Sequence, residues 1–191
     1  MTIHSSLKLA THSLHRKIEK NPLIKKLTSK QIQLSEYILL LKKFYGFIAP
    51  CEAIITRQPE SGRIISTRNK TPLLYNDLIT LGLTSKEVSQ IPVCQNLPEL
   101  LNRGNVLGYL YVIEGSTLGG QIITRFIQDN LSLTPEVGIR YFHGYGKETR
   151  WKWQTFCDTL DMIDENSSVK TDAITTAIAT FNLLNQWLGS H

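Results

Sequence analysis

The chain has 191 residues, 41% hydrophobic and 19% charged, a globular balance that excludes wholesale disorder. Its length suits a single domain, 1–191, with volume for a real core. No apolar run reaches the ~18 residues of a membrane span. The start, Met1-Thr-Ile-His-Ser-Ser6, lacks the charged-then-apolar pattern of a signal peptide, so a cytoplasmic address is the expectation. The formal net charge is +5, with a basic bias near the N-terminus from Lys8 through Arg16, Lys17, Lys20, Lys25, Lys26 and Lys30. No nucleic-acid motif or interleaved aromatics accompany it, which leaves an anionic ligand or an acidic protein as the expected partner. Cys51, Cys94 and Cys157 are odd in number and widely spaced, and they read as reduced structural thiols.

Helical patterns then follow one another. Leu7, Ala10, Leu14 and Ile18 recur at three-to-four spacing, and Asn21-Pro22 ends or bends that helix. Thr28-Ser-Lys-Gln31 has the form of a capping box opening a second helix, whose stripe runs Leu34, Ile38, Leu41, Tyr45. Pro50 is expected to kink or shorten it. Gln58-Pro-Glu-Ser-Gly62 reads as a loop, and Pro72 as a first-turn proline. Thr84-Ser-Lys-Glu87 is another capping box, on a short helix closed by Pro92. A long helix is predicted from Pro98-Glu99 to about Gln128. Beyond a loop through Pro135 and Gly138, helices are expected from about Glu148 to Met162 and from about Val169 to Leu188. With no hairpin signal and little period-two alternation, the fold class is all-α, a bundle of roughly seven to nine helices.

The long helix contains Gly115, Gly119 and Gly120. Each interior glycine costs ~0.5–1 kcal/mol against alanine, so together they weaken the helix by ~2–3 kcal/mol. Gly115 and Gly119 share one face, where backbone can approach whatever lies opposite. That neighbour is either another helix or a flat ligand over which the helix can kink, and the segment alone leaves both open.

On the first helix, Lys8, Thr11, His15 and Glu19 form a strip beside the apolar stripe. His15 therefore borders core and polar face, and Glu19, one turn on, is placed to hold its second ring nitrogen. Lys8 lies two turns back, ~10 Å along the axis, within reach of an anionic group at a ligand's edge. His4, His12, His143 and His191 lack such a setting and read as ordinary surface or core residues.

Together these segments resemble the heme oxygenase family, especially its bacterial, bacteriophytochrome-associated branch. The matching stretches are Ala10-Thr-His-Ser-Leu-His15-Arg-Lys-Ile-Glu19 and Tyr111-Val-Ile-Glu-Gly-Ser-Thr-Leu-Gly-Gly120. Tyr141-Phe-His-Gly-Tyr-Gly146 with Trp153 and Phe156, and Thr180-Phe-Asn-Leu-Leu-Asn-Gln-Trp187, extend the match over nearly the whole chain. The resemblance implies heme sandwiched between the N-terminal proximal helix and a glycine-kinked distal helix, as substrate and prosthetic group in one. It implies His15 as axial iron ligand, supported by Glu19, with Gly115, Gly119 and Gly120 against the distal face. Lys8 matches a propionate-contacting position, and Arg150 and Lys152 are looser candidates for that role. The implied reaction opens heme to biliverdin with release of iron and carbon monoxide, using O2 and electrons from a donor such as ferredoxin or a flavoprotein reductase.

Where the better-known branch has an aspartate after the first distal glycine, this chain has Ser116, able to donate and accept hydrogen bonds but uncharged. Ser116, with Gly115 and Gly119, is thus expected to organise the catalytic face. The alternative is a protein that holds heme for storage, transfer or sensing without turning it over. A helical scaffold that no longer binds heme is the third reading, opposed by the joint presence of His15, Glu19 and the three glycines.

Overall fold

The computed structural model describes residues 2–28, 32–58, 64–164 and 167–190. In chain order the helices are α1 (Ile3–Glu19), α2 (Pro22–Leu27), α3 (Leu34–Thr56), α4 (Thr71–Thr80), α5 (Ser85–Ser89), α6 (Arg103–Leu131), α7 (Arg140–His143), α8 (Thr149–Asp161) and α9 (Ser168–Gly189). A 3-10 turn, Gly146–Glu148, precedes α8. Among the described residues there is no β-strand, only isolated bridges at Thr134. No helix among them is long and apolar enough to cross a membrane.

Local chemistry explains most boundaries. Asn21 ends α1 and caps α2, its side chain accepting the Leu23 N–H at 3.0 Å, with Pro22 in the first turn where a missing N–H costs nothing. The pair thus starts a new short helix as well as ending one. The predicted box at Thr28-Ser-Lys-Gln31 falls largely on residues 29–31, outside those described. Thr28 closes α2, and α3 opens later, where Glu36 accepts the Gln33 N–H at 3.1 Å. The loop expected at 59–62 also lies outside the described residues. The Thr84–Glu87 box is formed as expected, with Thr84 N–H on Glu87 at 2.8 Å and Glu87 N–H on Thr84 at 3.2 Å.

Pro50 does not shorten α3, which continues to Thr56. Proline strips the Gly46 carbonyl of its helical donor. The Cys94 N–H supplies a substitute at 2.9 Å. This cross-link also corrects the start of the long helix. The segment after α5 is drawn across α3 and stays irregular through Pro98-Glu99, so α6 begins at Arg103. Asn102 and Asn105 cap it reciprocally, at 3.0 and 3.3 Å. α6 then runs unbroken through its glycines.

The core is the seam of α6, α9, α3 and α1, and the broadest packing is α9 on α6. Close approach there needs glycine: a Cβ on Gly104 would lie 2.7 Å from Asp172 Cβ, and one on Gly108 would collide with the Ala173 carbonyl. Asn105 Nδ2 donates to Thr176 Oγ1 at 3.0 Å, fixing the register of the two helices. With the N-terminal half of α6 locked on α9, its C-terminal half projects across α1. A cavity opens between them.

Candidate functional site

The cavity has a volume of about 620 Å³, within the range of small-molecule sites. α1 forms one wall with Lys8, His15 and Arg16, and α6 the other with Gly115, Ser116 and Gly119. Trp153 from α8, Phe181 from α9 and Tyr141 from α7 close its ends.

His15 and Glu19 meet as the helical spacing predicts, with Nδ1 3.5 Å from Oε1. Both side chains are more than half exposed, at 57% and 60%, which places them at the cavity's mouth. The His15 ring stands edge-on to Phe181, centroids 6.0 Å apart, which limits its rotation. With Nδ1 turned to Glu19, Nε2 is the nitrogen left for a ligand.

Across the cavity the three glycines have three different surroundings. A Cβ on Gly119 would meet none of the described residues within 4 Å, so this position opens onto the cavity. A Cβ on Gly115 would touch the Trp153 indole at 3.4 Å. A Cβ on Gly120 would come within 2.5 Å of the Phe142 carbonyl oxygen, the close backbone packing that was the other reading of this segment. Ser116 Oγ donates to the Ile113 carbonyl at 2.7 Å.

Lys8 borders the cavity as expected, and so does Arg16, which sequence reading counted only as surface charge. His12, read as ordinary, lines it too. Arg150 and Lys152 do not: Arg150 is exposed on α8, and the Lys152 ammonium lies 5.5 Å from the Tyr145 and Trp151 ring centroids. The reason is rotational. α8 turns Phe156, Cys157 and Leu160 inward, with Trp153 at the cavity.

Behind the glycine wall lies a buried charge cluster. Glu114 receives Lys70 Nζ at 2.5 Å, the Tyr145 hydroxyl at 2.9 Å, and Arg68. Lys70 Nζ also donates to Tyr145 Oη at 2.7 Å. Burial pushes the Lys70 pKa down and Glu114 opposes it, while burial and then Glu114 push the Tyr145 phenol up. The cluster pins the turn at Gly144-Tyr145 over Thr117. Its signal in sequence was a lone acid ending the apolar run Val106–Ile113, since a buried carboxylate requires partners.

Of the face shared by Gly115 and Gly119, Gly115 is approached by the Trp153 indole and Gly119 borders the cavity, while neighbouring Gly120 is packed against the Phe142 backbone. A family model for heme oxygenase matches residues 1–190. The chain belongs to the heme oxygenase family. No curated protein sequence gives a significant match.

Solved structures share the fold at low identity. Heme oxygenase from Leptospira interrogans is 16% identical, with 98% of each chain covered and a TM-score of 0.77. The Neisseria meningitidis enzyme is 20% identical, covering 100% of this chain and 94% of that one, TM-score 0.75. Heme oxygenase-1 from the cyanobacterium Synechocystis sp. PCC6803, solved in complex with heme, is 14% identical over 99% and 91%, TM-score 0.76.

The family binds heme, and the residues present fit that group. His15 offers an imidazole nitrogen at the cavity's mouth, Gly119 leaves a cradle that a Cβ would fill, and Lys8 and Arg16 supply cations on the same helix.

Proposed function

We propose that this protein cleaves heme oxidatively to biliverdin, releasing iron and carbon monoxide, with O2 and electrons from an external donor. The carrying observation is the cavity between an imidazole backed by a carboxylate and a helix face without a side chain at Gly119.

His15 would hold the iron through Nε2, and Glu19 on Nδ1 would fix the ring's orientation and raise its basicity. Lys8 and Arg16 would meet the carboxylates of the macrocycle. When bound, heme supplies the redox chemistry and is itself the molecule consumed. The protein's own part is to orient that group, exclude bulk water from its distal side and hold a hydrogen-bonding hydroxyl there. Gly119 would permit the close approach, with Gly115 one turn before it, and the hydroxyls of Ser116 and Thr117 line the cavity beside them. Arg16, Lys17, Lys20 and Lys25 are exposed around α1 and α2, a surface suited to an acidic electron donor such as ferredoxin or a flavoprotein reductase. Supply of biliverdin as a phytochrome chromophore is the physiological role in keeping with the sequence resemblance.

Titration with hemin followed by a reductant in air tests this. The expected result is a Soret band that depends on His15 and decays into biliverdin absorption. A band of unchanged shape and affinity in His15→Ala removes the axial assignment. A second reading, heme held without turnover, is favoured by one observation: Ser116 is uncharged and donates to a backbone carbonyl. A band that persists under reductant and air selects it.

A further inference from the structure

We propose that Trp153 is a specificity-determining residue, a fixed stop that sets how the macrocycle is turned within the cavity and so which of its bridging carbons is opened. This rests on the heme-cleavage reading above. Heme is nearly fourfold symmetric, but one edge carries its carboxylates and the other edges are apolar. A site that opens a single bridge has to tell these rotations apart, and a flat slot without a stop does not.

Three observations carry it. First, Trp153 covers half of the bare glycine face. It lines the cavity, and its six-membered ring edge, Cη2 and Cζ3, lies 3.4 and 3.5 Å from where a Cβ on Gly115 would be. One turn on, Gly119 has no such neighbour within 4 Å among the described residues, so the face is closed at one glycine and open at the next. Second, the indole spans the end of the cavity from wall to wall. It stands edge-on to the His4 ring of α1, centroids 5.9 Å apart, and tilted against Tyr111 of α6 at 5.6 Å. Phe156, one turn further along α8, backs it at 5.9 Å. Third, the indole is held from outside the cavity. The Arg68 guanidinium pairs with Glu114 and donates to the Lys152 carbonyl at 3.4 Å, joining the residues that immediately precede Gly115 and Trp153. The His4 N–H donates to Asp161 Oδ1 at 3.1 Å, which ties the start of α1 to the end of α8. A wall locked in this way by its supporting contacts resists displacement by a ligand. A carboxylate pressed against the indole would lose water without gaining a partner. Lys8 and Arg16, exposed on α1 where they border the cavity, offer it one. An apolar edge of the macrocycle therefore goes to Trp153 and the carboxylate edge to the α1 cations, which removes the near-fourfold degeneracy.

The test reads the seating directly, from the paramagnetically shifted heme-methyl resonances of the hemin–cyanide complex, whose pattern changes with the rotation of the macrocycle. It needs no turnover. The wild type is expected to show one seating in roughly tenfold excess or more, and one dominant biliverdin isomer when reductant and air are supplied. Trp153→Ala should bring a second seating to within about threefold of the first, with the isomers redistributed to match. Trp153→Phe keeps an aromatic ring but lacks the reach of the indole to Gly115, and it covers the case where Trp153→Ala does not fold. It should move the ratio the same way by a smaller factor. A merely structural Trp153 would lower thermal stability and hemin affinity in these variants while the methyl pattern and the isomer ratio stay at their wild-type values, and that result overturns the proposal. Comparable seatings in the wild type overturn it too, as does a changed methyl pattern with an unchanged isomer. Failure of the wild type to take up hemin defeats the heme reading itself, a result distinct from hemin uptake without a Trp153 effect.

Discussion

Gly119 and Gly120, adjacent in sequence, face opposite kinds of surroundings: a Cβ on Gly120 would lie 2.5 Å from the Phe142 carbonyl oxygen, whereas one on Gly119 would have no neighbour within 4 Å among the described residues. The same substitution should therefore act in opposite directions. Gly119→Ala is expected to stabilise the ligand-free protein by ~0.5–1 kcal/mol, the helical preference for alanine, while weakening hemin uptake. Gly120→Ala should destabilise it by ~1–3 kcal/mol through overpacking. Thermal unfolding and hemin titration of both variants read this out. A more stable Gly119→Ala that binds hemin as tightly as the wild type removes Gly119 from the site.

Asp77 is buried beneath α7, and desolvation raises its pKa to about 6 against two backbone donors that lower it. A carboxyl with a raised folded pKa binds more protons native than unfolded between its unfolded value, ~3.9, and about 6. Its contribution to stability therefore grows as pH falls through that window and is lost as pH rises. Compared with Asp77→Asn, the wild type should gain on the order of 3 kcal/mol in urea unfolding on going from pH 7.5 to pH 4. A stability difference independent of pH would show that Asp77 titrates normally.

Glu114 compensates Arg68 and Lys70, whose side chains are only 11% and 2% exposed. Removing one partner of a buried pair leaves uncompensated charge, so Glu114→Ala should cost about 3–5 kcal/mol in urea unfolding. Because Glu114 immediately precedes Gly115, hemin binding should fall with stability. A loss under ~1 kcal/mol would mean that the cations reach water.

The Tyr109 hydroxyl is buried and has no hydrogen-bond partner among the described residues. An unpaired buried polar group costs free energy, so Tyr109→Phe should leave the melting temperature unchanged or raise it. A fall equivalent to more than ~1 kcal/mol would reveal an internal water bound there.

Lys8 and Arg16 border the cavity, and Arg150 and Lys152 do not. Lys8→Ala and Arg16→Ala are expected to weaken hemin binding by a few-fold each, and Arg150→Ala and Lys152→Ala to leave it unaltered at equal ionic strength. Equal losses in all four variants would point to diffuse attraction by net charge.

Much of this fold is written in short-range chemistry. The Asn21-Pro22 junction, the Thr84–Glu87 box and the 3.6-residue periodicity of α1 and α9 each depend on groups within about two turns of one another. The His15–Glu19 contact belongs to the same class, because one helical turn fixes it. The start of α6 was not legible, since it depends on Cys94 N–H reaching the carbonyl that Pro50 orphans on a different helix. Nor was the pairing of Asp77 with α7, nor the set of cations around Glu114.

The glycines show where local information ends. Gly104 and Gly108 have the same spacing on α6 as Gly115 and Gly119, so sequence alone determined only that each pair presents a bare helix face. What lies opposite was decided by tertiary packing. α9 fills the space beside Gly104 and Gly108, while α1, turning its polar His15 strip toward the other half of α6, leaves it open at Gly119. A helix specifies its own surface through periodicity, but its neighbour is set by how the whole bundle excludes water.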